Sequence, residues 1–152
     1  MLQESERVGM EKRVYLLNKE QIDHFWPDIL RLLGEVPMYY DFFTPEWTYS
    51  KAKAGDLQIW GLSDEKIRGI VVTQILVFPA QKAFEILGAA GNGLLEFFDQ
   101  MDDVFEFIAA DCECQTIIMR CRPGIERKIL RQGRGIKGCS FLYRPVGKRS
   151  EH

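Results

Sequence analysis

Residues Gly88-Ala89-Ala90-Gly91-Asn92-Gly93 constrain the fold of this chain more than any other stretch. They stand between an apolar, strand-like run, Ala83-Phe84-Glu85-Ile86-Leu87, and a long amphipathic segment that begins at Leu94. Small residues between a strand and a helix read as a loop. A helix that follows such a loop presents unsatisfied backbone N–H groups and partial positive charge at its first turn. Glycine lets an anion approach that backbone closely. The pattern predicts a strand–loop–helix unit able to hold the phosphates of a cofactor, with Gly88 to Gly93 as the candidate anion-binding segment.

The helix after the loop is clear from its spacing. Leu94, Leu95, Phe97, Phe98, Met101, Val104, Phe105 and Ile108 form one apolar face, and Glu96, Asp99, Asp102, Asp103 and Glu106 lie mainly outside it. Upstream, Ile67 to Val77 is a long β-branched run. Leu57–Leu62 before it and Lys82–Leu87 after it complete an antiparallel meander, with turns at 63–66 and 78–81. The N-terminal part reads as a strand at Arg13–Leu17 and then a helix. Asn18 and Gln21 have the spacing of a capping box. Pro27 falls inside the helical pattern, where it should kink or split it, and Gly34 is a stop. Thr44-Pro45-Glu46 opens a second helix that runs to about Ala54. Near the C-terminus, a strand at 115–121, a short helix at 123–132 and a strand at 135–143 are expected. Residues 1–11 read as a flexible leader, 12–146 as one domain and 147–152 as a polar tail.

Charge is strongly segregated. Residues 1–119 hold 10 Lys/Arg against 20 Asp/Glu, and residues 120–152 hold 10 against 2. The basic segment, with Arg120, Arg122, Arg127, Lys128, Arg131, Arg134 and Lys137, could attract phosphates, nucleic acid or an acidic partner surface, or complement the acidic helix at 94–111. It lacks interleaved aromatics for base stacking, so nucleic acid is not the favoured partner. The segment 36–47 is dense in aromatics instead. Tyr39, Tyr40, Phe42, Phe43 and Trp47 fit a substrate cleft, a partner surface or core packing. With only two histidines, and with just one close pair among four cysteines, no metal site is expected. Cys112, Cys114, Cys121 and Cys139 read as reduced thiols. No apolar run reaches membrane-spanning length, and the polar start is not a secretory signal, so a cytoplasmic protein with no membrane partner is expected.

The order of elements, with the glycine segment at its centre, resembles the GNAT superfamily of N-acetyltransferases over roughly residues 12–146. That resemblance implies an α+β fold of α/β/α sandwich type. The sheet would be mixed and mostly antiparallel, splayed after the fourth strand, with helices on both faces. The family carries Gln/Arg-x-x-Gly-x-Gly/Ala between its fourth strand and third helix, and Gly88 to Gly93 occupy those positions. A second likeness is the run Gly133-Arg134-Gly135-Ile136-Lys137-Gly138 before a strand ending in Tyr143.

The resemblance implies acetyl-CoA as cofactor. Its pyrophosphate would lie on the amides of Ala89 to Gly93, its pantetheine arm along strand 82–87, and a strand N–H near Ile86 or Leu87 would polarise the acetyl carbonyl. Glu85 would deprotonate the amine, and Tyr143 is the one candidate acid. Two positions depart from the pattern: Gly88 replaces the family's Gln or Arg, and the helix at 123–132 has no Tyr. These departures favour a binding or structural protein on a degenerate acetyltransferase scaffold over an active N-acetyltransferase. The chain also resembles the short GNAT-like proteins of tailed bacteriophages. That likeness implies a phage structural protein, or a second copy of this chain, as partner. The expected location is the host cytoplasm or the virion.

Overall fold

A computed structural model describes residues 13–63 and 66–119, with the isolated positions 127, 130, 131 and 146. The nine described elements lie within one compact unit that ends at Met119. In chain order they are β1 (Arg13–Leu16), α1 (Lys19–Leu33), α2 (Tyr39–Phe42), α3 (Pro45–Ala54), β2 (Gln58–Ser63), β3 (Ile67–Val77), β4 (Lys82–Gly91), α4 (Leu94–Asp111) and β5 (Thr116–Met119). The expected strands and helices beyond 119 lie outside the described residues.

The sheet order is β1-β2-β3-β4-β5, antiparallel except for the parallel β4–β5 pair. This is the expected mixed, mostly antiparallel α+β architecture. Two apolar cores flank the sheet. One lies under α1–α3 and includes Ile29, Leu33, Ile59, Ile70, Val72, Leu87 and Ala90. The other lies under α4 and includes Trp60, Leu62, Val71, Phe84, Phe97 and Phe105. Strand alternation explains the division: Ile70 and Val72 face one core, while Val71 between them faces the other.

Local chemistry sets the helix ends. Asn18 caps α1 by accepting from the Gln21 amide at 2.8 Å, and the Gln21 side chain accepts from the Asn18 amide at 2.9 Å. Pro27 stays inside α1 and does not end it. Ile22, Ile29, Leu32 and Leu33 are buried on both sides of it, so packing outweighs the missing backbone bond. Thr44 caps α3 through the Trp47 amide, and Gly55 closes that helix at φ 85°.

Two features control β4. First, Thr73 pairs with Ile86 but Val72 pairs with Gly88, so Leu87 is an extra residue in the ladder. The bulge turns both Leu87 and Gly88 toward the α1 core: Leu87 is buried there, and a Cβ on Gly88 would lie 2.5 Å from Val36 Cγ1. Second, the pairing with β3 continues to Gly69↔Gly91. At that crossing a Cβ on Gly91 would lie 2.3 Å from both Arg68 O and Gly69 Cα, and Gly91 has φ 136°. Four of the six residues expected to form a loop, Gly88 to Gly91, are therefore strand. Gly88 and Gly91 have no room for a side chain, because Val36 crowds the first and the β3 backbone the second.

The clasp between α1 and α3 gives a pH-dependent prediction. Tyr49 donates its hydroxyl to Asp23 Oδ1 at 2.5 Å, and Lys53 Nζ donates to Asp23 Oδ2 at 2.6 Å. The Lys53 and Tyr49 hydrogen bonds hold the Asp23 carboxyl below its ordinary range. A carboxyl lowered in the folded state stabilises fully above its unfolded value, and that contribution disappears as pH falls through the folded value. Asp23→Asn is therefore expected to lower the melting temperature at neutral pH. The difference from the unsubstituted protein should narrow as pH drops below about 4, the ordinary Asp value. Melting curves across that range check this; a constant difference contradicts it.

Candidate functional site

The middle of β4 carries a buried acid. Glu85 is 5% exposed, and Gln74 Nε2 donates to its Oε1 at 2.8 Å. The two residues are cross-strand partners, and Ile118 of β5 pairs with Glu85 on the other side. Phe84 and Ile86 face the α4 core, so alternation puts Glu85 on the opposite face, with α1. Burial of a carboxylate requires a hydrogen-bond donor, and Gln74 supplies one. The sequence reading found Glu85 but missed Gln74. The four-residue turn 78–81 between Val77 and Lys82 contains that information, because it sets Gln74 opposite Glu85.

Beyond Ile86 the expected binding residues divide. Ile86 is half-buried and Leu87, Gly88 and Ala90 are buried; Ala89 and Gly91 are half-buried within the strand. Only Asn92 and Gly93 form the turn into α4. The Asn92 amide donates to Arg68 O at 3.1 Å, so the β3–β4 ladder effectively reaches the turn. In an antiparallel ladder the bonded positions alternate. Counting back from that bond, the amides of Ala90 and Gly88 point at β3, and those of Ala89 and Gly91 point to the other edge. On that edge the described β5 pairing ends at Ile86↔Met119. Amides that alternate along a strand cannot converge on one anion as consecutive N–H groups in a loop do.

The mouth of α4 carries its own charges. Gly93 takes the N-cap position at φ 73° without a side-chain cap. Arg68 Nη1 lies 3.4 Å from Glu96 Oε2, and the Arg68 guanidinium sits 5.6 Å from the Phe97 ring centroid. A Cβ on Gly93 would come within 2.7 Å of Arg68 Nη2 and 3.2 Å of Glu96 Cδ. A carboxylate at the third helical position satisfies the helix dipole from within the chain. Arg68 had no signal in the sequence, because β3 brings it to the helix mouth only through the sheet register.

The aromatic segment divides too. Tyr39 is buried, and its hydroxyl bonds Thr48 Oγ1 at 2.8 Å. Burial pushes its phenol above the ordinary tyrosine range, and the Thr48 bond opposes that shift. Phe43 stacks on Trp47 with centroids 4.8 Å apart, and both pack on the α1 core. Tyr39, Phe43 and Trp47 are therefore packing residues. Tyr40 and Phe42 project outward with Met38, each at least 40% exposed. Met38 adopts φ 60°, a left-handed conformation uncommon for a residue with a side chain.

Tyr143 and Arg120, Arg122, Lys128, Arg134 and Lys137 lie outside the described residues. Arg127 and Arg131 are exposed. Among the described residues no three His, Cys, Asp or Glu side chains gather as a metal site, and no helix is long and apolar enough to cross a membrane.

No protein-family model and no curated protein sequence matches the chain. Solved structures do. A ribosomal-protein-alanine N-acetyltransferase from Brucella melitensis biovar Abortus 2308 superposes with a TM-score of 0.66 at 14% identity, over 90% of this chain and 100% of that one. A predicted acetyltransferase from Clostridium acetobutylicum, solved with acetyl-CoA, gives 0.64 at 10% identity over 90% and 97%. The aminoglycoside N-acetyltransferase AAC(6')-Iy, solved with CoA, gives 0.58 at 13% over 90% and 95%. At these identities the likeness is one of fold: the chain has the fold of the GNAT acetyltransferases.

Proposed function

We propose that this protein is an acetyltransferase-fold binding protein that has lost the phosphate cradle of an acyl-CoA site. The observation that carries the reading is the continuation of β4 to Gly91, with the Asn92 amide bonded to Arg68 O. A pyrophosphate needs several converging donors; this strand offers alternating ones, and the adjoining helix mouth already holds the Glu96 carboxylate. CoA phosphates fit these residues poorly. A protein partner remains the best use of the fold. Met38, Tyr40 and Phe42 supply an exposed apolar face for it. The resemblance to short phage proteins makes a virion component, assembled in the host cytoplasm, the partner to test.

A second reading, an active N-acetyltransferase acting on an amine, draws support from one observation. Glu85 is a buried carboxylate held by Gln74 on the strand where a base would stand. Acetyl-CoA in a solved neighbour's structure keeps that cofactor in view.

Calorimetric titration of the full chain with acetyl-CoA at low salt separates the two readings. The first predicts no saturable heat. A saturating isotherm with 1:1 stoichiometry overturns it and favours the enzyme.

A further inference from the structure

Two thiols flank the turn that ends α4. The Glu113 amide donates to Ala110 O at 3.0 Å and the Cys114 amide to Ala109 O at 2.8 Å, the paired bonds of a Schellman motif. Glu113, the residue between the cysteines, has φ 62°. Cys112 and Cys114 are free and half-buried, and Cys114 packs against the α4 core. A helical-type backbone at the middle residue keeps the flanking Cα atoms about 5–6 Å apart, within the span of a disulfide. An extended residue would set the two side chains on opposite faces.

The turn is also held in place. Lys82 Nζ donates to Cys112 O at 2.7 Å. The Lys82 amide donates to Gln115 Oε1 at 2.8 Å, and the Gln115 amide donates to Lys82 O at 2.9 Å. These bonds fix the backbone on both sides of the cysteine pair. The Lys82 ammonium is thereby held beside the pair, and Asp111 and Glu113 are the pair's acidic neighbours in sequence.

We propose that Cys112 and Cys114 are a redox-modification site, a dithiol that a small disulfide of the glutathione class converts reversibly into a bond across this turn. The Cys112 thiolate attacks the small disulfide; a sulfur–sulfur bond forms to Cys112 and one small thiolate leaves. The Cys114 thiolate then attacks Cys112 Sγ, closes the intramolecular bond and expels the second small thiol. Two protein thiols are oxidised, one small disulfide is reduced to two thiols, and every proton is accounted for on those thiols or in solvent. Cys114 suits the second role. It packs against the α4 core, and burial pushes its thiol up, with Lys82 opposing and Cys112 reinforcing the shift, which suits attack on the neighbouring Cys112 sulfur more than attack on a disulfide in solution. The site does not depend on whether the protein binds acetyl-CoA.

Sequence makes the test clean. Trypsin cuts after Lys82 and Arg120 and nowhere between, so the peptide 83–120 carries Cys112 and Cys114 without Cys121 or Cys139. The folded full chain is incubated with oxidised glutathione, alkylated, digested and weighed. The expected peptide has lost the mass of two hydrogens and takes no alkyl group, and dithiothreitol restores two alkylatable thiols. Cys112→Ser and Cys114→Ser should each abolish the two-hydrogen loss while keeping the circular dichroism of the folded protein. Two alkyl groups on the oxidised sample overturn the proposal. So do stable glutathione adducts in place of the internal bond, or a bond from either residue to Cys121 or Cys139.

Discussion

Replacing Gly91 with Ala is expected to cost the protein about 3 kcal/mol or more, large enough to unfold much of a marginal domain. Two independent effects converge. Gly91 sits at φ 136°, where residues with a Cβ are strained. The added methyl would also meet Arg68 O and Gly69 Cα at 2.3 Å, and both are backbone atoms of the paired strand. Neither contact can be relieved by a rotamer change. Relief requires opening the β3–β4 ladder next to the turn into α4. Urea unfolding checks the prediction. A Gly91→Ala variant within about 0.5 kcal/mol of the parent, the range of an ordinary surface substitution, would mean that residue 91 lies in an accommodating loop.

The second large effect is expected at Phe84. It is fully buried near the start of β4, tilted against Phe105 with ring centroids 5.5 Å apart, in the core that α4 covers. Trp60 packs edge-on against the same Phe105 ring at 5.0 Å. Phe84→Ala leaves a void between sheet and helix that Phe105 and Trp60 cannot both fill, because Trp60 Nε1 is tied to Thr73 Oγ1 at 2.9 Å. Truncations of this kind cost about 3–5 kcal/mol. The loss should appear in urea unfolding with an unchanged slope. A loss below about 1 kcal/mol would place Phe84 outside a packed core.

These two residues also mark what the sequence made legible. Phe84 reads as core from its strand context, and the α4 stripe, the Asn18–Gln21 box, the Thr44-Pro45 start and the helix end near Ala54 are each local signals that survive folding unchanged. Gly88 to Gly91 read wrongly because glycine and alanine have little strand propensity. The absence of a side chain at Gly88 and Gly91 has a tertiary cause: Val36 reaches Gly88, and Gly69 backs onto Gly91, neither of which is near in sequence. The one-residue bulge at Leu87 hid the pattern further by changing which face the following residues occupy. Gln74 opposite Glu85 was legible through hairpin arithmetic. Arg68 at the mouth of α4 was not, because it depends on a register set by the whole sheet.

The aromatic segment teaches the same lesson at a smaller scale. Composition alone could not separate Tyr39, Phe43 and Trp47, which pack inward, from Tyr40 and Phe42, which do not. α2 is a single turn, too short for a periodic stripe to show, and its entry through a left-handed Met38 resets the phase. Tyr40 and Phe42, with Met38, are the exposed part of the segment.

In the proposed function the backbone at the end of β4 is bonded into the sheet and holds no ligand. Amide-resolved NMR of the full chain, free and with acetyl-CoA, tests it most directly. Slow hydrogen exchange is expected at Ala90 and Asn92, with no saturable shift at residues 89–93 as acetyl-CoA is added. Consecutive amides from Ala89 to Gly93 shifting together along one saturating curve would contradict it.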